Sequence, residues 1–185
     1  PVSKAVKFSS GKWTQMRAEN GGWLKGTKGV RRYPYGADRL TREDASQLLF
    51  IFEGEKDCDR AWQHGFSATT NVGGAGKWRS HLNDHITGRT VCIVPDNDAA
   101  GANHATKVAA SLERSQIDNF ILDYAAGLPE KADFSDWMDA NGNDAKRFLA
   151  MANTAKELPR QLTKPIKKIL TMIGDIEIKD PDYLI

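Results

Sequence analysis

Two segments of this chain, Leu48–Phe52 (LLFIF) and Thr90–Val94 (TVCIV), are short apolar runs that show no polar–apolar alternation. A strand of that kind must be buried on both faces, which happens in a sheet covered on two sides. Ser67–Val72 and Phe120–Leu122 read as two further strands. Helical segments fall between them. Lys56–His64 is stopped by Gly65, Lys77–Ile86 ends near Gly88, and Ala102–Ser115 keeps Ala105, Val108, Ala109 and Leu112 near one face. Strands alternating with helices predict an α/β fold: a Rossmann-like parallel sheet flanked by helices and joined by right-handed crossovers.

The ends differ from this middle. Asn20-Gly21, set between two short segments rich in Trp, Thr, Met and Leu, predicts a β-hairpin over Lys12–Gly26. Thr41–Gln47 is polar and helix-tolerant, and Ala145–Ala155 reads as one more helix. From Leu158 the chain carries Pro159, Pro165 and Pro181 with little periodicity, the pattern of a linker or extended arm. The 185 residues, 40% hydrophobic, suffice for one domain with a real core plus peripheral segments. We therefore divide the chain into a basic, β-rich extension (1–47), a central α/β domain (48–142), and a helix plus linker (143–185). The extension is charged. Up to Arg32 it holds eight Lys or Arg against Glu19, a net +7, which suits a polyanion or a solvated basic edge equally. No apolar run reaches membrane-spanning length, and no charged-then-apolar leader opens the chain. Cys58 and Cys92 are too few for a zinc ribbon, and Cys92 lies within an apolar run. Together these features fit a reduced, cytoplasmic setting with no membrane contact.

Functional groups of open α/β sheets gather beyond the carboxyl ends of the strands. Two such ends here are acidic: LLFIF runs into Glu53-Gly54-Glu55-Lys56-Asp57, and TVCIV runs into Pro95-Asp96-Asn97-Asp98. If those strands are neighbours, Glu53, Asp96 and Asp98 converge. Carboxylates held that close raise one another's pKa, and a divalent cation relieves the repulsion. An all-oxygen donor set suits Mg²⁺ or Mn²⁺. Helix capping is the competing explanation for Asp98 ahead of the Ala-rich helix, and for Asp57 at the start of its own.

The paired motifs, Glu53-Gly54-x-x-Asp57 and Asp96-x-Asp98-x-Ala100-Gly101, resemble the Toprim domain of primases, topoisomerases and certain nucleases. The phrases GVRRYPYGADRL, FIFEGEKDCDRAW, TTNVGGAGKWR, VPDNDAAGANHATKVA and DFSDWMDANG extend the resemblance over Trp13–Gly142, and they follow the order seen in phage- and plasmid-type primases, including those fused to a helicase-like ATPase. The resemblance implies that Glu53 is a general acid/base or metal ligand, that Asp96 and Asp98 bind metal, and that Asp57 supports the site. It implies a place near the metal for Asp133. Asp133 or Ser135 reads equally as the cap of the short turn carrying Asp136. The implied reaction is synthesis of RNA primers from ribonucleoside triphosphates on single-stranded DNA, with a helicase/ATPase in the same or a partner chain. The closing GDIEIKDPDYLI resembles the lead-in to that ATPase, so a larger replication protein is expected. The same ions serve phosphodiester hydrolysis, which leaves a Toprim nuclease as an alternative. A non-catalytic DNA-binding module of a helicase is another.

Lys56, Lys77 and Arg79 are candidate contacts to nucleotide or DNA. Lys77 and Arg79 follow the glycines of NVGGAGKWR, which either admit a phosphate close to backbone N–H groups or form a turn needing positive φ. The spacing is not that of a Walker A loop. Trp78 suits packing better than base stacking. His81 and His85 form an i, i+4 pair without a third ligand, so a solvated helix face is expected rather than zinc. Tyr33 and Tyr35 raise a topoisomerase nucleophile, but the separate large domain carrying that tyrosine has no counterpart in 185 residues.

Overall fold

The computed structural model describes residues 3–7, 13–25 and 32–157; the proline-bearing segment from Leu158 lies outside them. Among the described residues there are two sheets. The first is antiparallel, with β1 (Ser3–Lys7) pairing with β2 (Trp13–Glu19) and β2 with β3 (Gly22–Lys25). Asn20 (φ 49°) and Gly21 (φ 76°) form the two-residue turn expected of the hairpin. The strand β1 was not anticipated.

The second sheet is parallel, built from β4 (Leu49–Ile51), β5 (Ser67–Thr69), β6 (Val91–Ile93) and β7 (Asn119–Ile121) in the order β5-β4-β6-β7. Among the described residues five α-helices accompany it: α1 (Ala37–Leu40), α2 (Glu55–Gln63), α3 (Ala99–Arg114), α4 (Phe134–Ala140) and α5 (Ala145–Glu157). None of the described helices is long and apolar enough to cross a membrane.

Alternate residues of β4 explain why its sequence shows no alternation. Leu49 and Ile51 join Val91, Ile93, Leu82, Val108 and Leu112 on one face. Phe50 and Phe52 join Cys92, Val94, Leu122, Phe134 and Phe148 on the other. Both faces are covered, so both parities are apolar. Cys58 and Cys92 are buried free thiols, and burial pushes both pKa values up.

Three elements depart from expectation. The polar, helix-tolerant Thr41–Gln47 segment forms turns, and a short helix, α1, precedes it. Asp44 binds Ser46 through both carboxylate oxygens, a local alternative to helical hydrogen bonding. The buried Arg89 guanidinium also takes the carbonyls of Leu40 and Glu43. In place of an α-helix over Lys77–Ile86 there is a 3-10 turn, Ser80–His85. Asn83 anchors it, accepting from Trp78 Nε1 at 2.9 Å and donating toward the Ser111 carbonyl and the Ser115 hydroxyl. Finally, α3 starts at Ala99 instead of Ala102, because Asp98 caps it.

Candidate acidic site

Strands β4 and β6 are direct parallel neighbours, in register from Leu49↔Val91 to Ile51↔Ile93. Their C-terminal ends are therefore level, and the segments carrying Glu53 and Asp96 leave the same sheet edge side by side. The Thr70 hydroxyl, beyond β5, donates to the Glu53 carbonyl at 3.1 Å. On the other side Asp98 N–H donates to the Asp96 carbonyl at 2.8 Å, closing a tight turn. The helix α3 then rides directly on that turn: a Cβ on Gly101 would lie 2.4 Å from the Asp96 carbonyl oxygen and 2.8 Å from its nitrogen. Only glycine permits this approach.

The carboxylates have different occupations. Asp98 Oδ1 accepts from Gly101 N–H at 2.7 Å, so Asp98 is the α3 cap that the competing explanation described, with Oδ2 left over. Asp57 caps nothing. It is buried, and its Oδ1 accepts from Ser135 N–H (3.0 Å) and Ser135 Oγ (2.7 Å), joining α2 to α4. Asp133 N-caps α4 in a reciprocal capping box with Asp136, and its second oxygen pairs with Lys56. Glu53 Oε2 is buried with no hydrogen-bond partner.

Electrostatics ties the group together. The Asp96 carboxyl is pushed up to about 7, first by burial and then by Glu53, Asp57, Asp133 and Asp98. Glu53 is raised by burial, then by Asp98 and Asp57. Burial raises Asp57 against the lowering effect of the Ser135 hydrogen bonds. The hydrogen bond to Asp133 holds Lys56 above its ordinary value. Among the described residues no three His, Cys, Asp or Glu side chains close around a point where an ion would sit. The oxygen donors nonetheless fit a hard divalent cation: one buried carboxylate oxygen of Glu53 is orphaned, and burial together with neighbouring carboxylates raises Glu53 and Asp96, a cost that a cation relieves. Mg²⁺ keeps several waters, so a closed protein cage is not required.

Lys77 and Arg79 lie on the β5 side of this rim. Lys77 is exposed, whereas the Arg79 guanidinium folds back onto the Trp78 carbonyl at 2.9 Å. Trp78 is buried and packs, as expected. His81 is exposed and His85 tilts against the Tyr33 ring at 5.1 Å. The Tyr35 ring stacks on Trp62, and its hydroxyl donates to Asp59 at 2.9 Å.

Sequence reasoning missed three residues here. Asn97, between the two aspartates, exchanges backbone hydrogen bonds with Lys131 and Ala132, and its Nδ2 donates to the Pro129 carbonyl at 2.9 Å. It fixes the loop that delivers Asp133. Tyr124 is buried with an unpartnered hydroxyl, and its pKa is raised by burial and by Asp96. His104 binds the glycine loop from α3. Asn97 carried a local signal, its place between the two aspartates.

The acidic rim lies at the ends of two adjacent strands of a parallel sheet flanked by helices. Three solved structures share this fold. The DnaG primase catalytic domain bound to ssDNA matches with a TM-score of 0.55 and 16% identity, over 94% of this chain and 62% of that one. The E. coli primase catalytic core gives 0.58 and 15%, over 97% and 58%. A DnaG catalytic core gives 0.57 and 17%, over 94% and 62%. No family model matches the sequence, and no curated protein does. The chain thus has the Toprim fold of primase catalytic cores, and it spans about three fifths of their length.

Proposed function

We propose that this chain is the Toprim catalytic core of a phage- or plasmid-type DNA primase, a nucleotidyltransferase making RNA primers on single-stranded DNA. The observation that carries this reading is the convergence of Glu53, Asp96 and Asp98 at the ends of neighbouring strands, with Glu53 Oε2 unpartnered and Asp96 pushed up to about 7. Glu53, Asp96 and the free oxygen of Asp98 are the groups to hold Mg²⁺ or Mn²⁺, with Asp133 at the margin because both its oxygens are engaged. Such an ion would supply charge neutralisation for the triphosphate and favour ionisation of the attacking 3′-hydroxyl. Asp57 acts through α4, holding Ser135 and hence the helix whose cap is Asp133. Lys56, Lys77 and Arg79 offer positive charge to nucleotide or template, and the basic stretch up to Arg32 offers more. A replicative helicase/ATPase, in this protein or a partner, would supply the single strand.

The test is primer synthesis by the intact protein on single-stranded DNA with Mg²⁺ or Mn²⁺. Asp96→Asn and Glu53→Gln are expected to abolish it, and full retained activity overturns the assignment. Input DNA converted to shorter products would mean hydrolysis instead.

A further inference from the structure

The glycine loop after β5 is held from beneath by two buried polar side chains. Asn71, 2% exposed, donates from Nδ2 to the Gly74 carbonyl at 2.7 Å. His104, 5% exposed on α3, accepts at Nδ1 from Gly76 N–H at 2.9 Å. Each has one polar atom left over, since Asn71 Oδ1 and His104 Nε2 are buried without partners. Because Nδ1 accepts, the ring proton sits on Nε2, which makes that atom a buried donor lacking an acceptor. Orphaned buried donors are rare enough to require an explanation.

The loop surface is built open. Gly73, Gly74 and Gly76 all have positive φ, at 98°, 77° and 74°. A Cβ on Gly74 or Gly76 would meet nothing within 4 Å, so packing does not demand these glycines. Conformation does, and Gly73 and Gly76 stay exposed. Lys77 follows, exposed and with no ion-pair partner among the described residues. The loop also adjoins the acidic rim on two sides: Thr70 at its start binds the Glu53 carbonyl, and His104 lies on the helix that Asp98 caps.

We propose that 71–77 is a phosphate-binding loop for the triphosphate of an incoming ribonucleotide, with His104 as the positioning residue that fixes its backbone. Phosphate is the shared chemistry of nucleotide and DNA backbone. Contact with both Glu53 and the Asp98 helix favours the triphosphate, which would have to reach any ion bound at that rim. The proposal deepens the primase reading and rests on it.

The test uses the full 185-residue chain, with ATP, inorganic tripolyphosphate and an oligo(dT) strand as separate probes, each titrated with Mg²⁺ and with EDTA. His104→Leu and Lys77→Ala are expected to weaken ATP and tripolyphosphate binding about tenfold in both conditions, leaving oligo(dT) within about twofold. His104→Asn, whose Oδ1 can accept from Gly76, is expected to stay within about twofold of wild type for all three probes. Circular dichroism establishes that each variant is folded. Triphosphate affinity indifferent to His104→Leu in a folded variant overturns the proposal, as does weakened oligo(dT) binding with ATP binding unchanged, or a wild type that binds neither ATP nor tripolyphosphate in EDTA. If binding falls with Asp96→Asn but not with His104→Leu, the loop assignment fails while the metal reading stands.

Discussion

Asp96 concentrates the electrostatic conflict of the site. In the unfolded chain its carboxyl ionises near 3.8, whereas in the folded chain it ionises at about 7. A folded pKa raised above the unfolded one means that the folded state holds the proton longer. The stability due to the neutral carboxyl is therefore complete below about pH 4 and lost as pH rises to about 7. Glu53 and Asp57 shift in the same direction and add to the loss. The urea midpoint of the metal-free chain is expected to fall across that window. Saturating Mg²⁺ should restore it at the upper end, and Asp96→Asn should flatten the profile. A midpoint that rises over the same window contradicts this electrostatic description. Gly101 is a steric case. Gly101→Ala puts a methyl 2.4 Å from the Asp96 carbonyl, so the α3 terminus must shift. A cost of about 1–3 kcal/mol in urea denaturation is expected, together with weakened Mn²⁺ binding. The pairing of Asp96 with Glu53 was legible because strand ends can be read locally. His104 and Tyr124 were not: the hydrogen bond to His104 comes from Gly76, 28 residues away, and the burial of Tyr124 arises only in the assembled core.

Among the elements, the joint between α2 and α4 holds the rim together. Asp57 of α2 binds Ser135 twice, Lys56 pairs with Asp133, and Arg60 pairs with Asp139. The latter two pairs are partly or largely exposed, so screening by water limits them, and the buried Asp57–Ser135 contact dominates. Ser135→Ala removes the hydroxyl donor from a buried carboxylate and is expected to cost about 1–3 kcal/mol by urea denaturation. A variant as stable as wild type would mean that the joint bears no strain. The central strands were readable from β4 and β6 because burial on both faces erases alternation. Helix limits were less so: Asp98 extends α3 by capping it, and Asn83 draws Ser80–His85 into a 3-10 turn through partners on α3. A local cap decided the first and a long-range side-chain contact the second.

At the scale of the molecule, α5 belongs to the core beneath the acidic edge. Phe148 is fully buried and its ring meets those of Phe50, Phe66, Tyr124, Phe134 and Trp137. Phe148→Ala is expected to cost about 3–5 kcal/mol and to loosen β4 and α4 together, readable as faster amide exchange in both. We propose that Glu53, Asp96 and Asp98 together bind a divalent ion. Calorimetric titration of Mn²⁺ into the wild-type chain and into Asp96→Asn tests it most directly. Saturable binding near pH 8 by wild type, lost in a folded Asp96→Asn, is the expected result. Equal binding by the two, or none by wild type, would contradict the account.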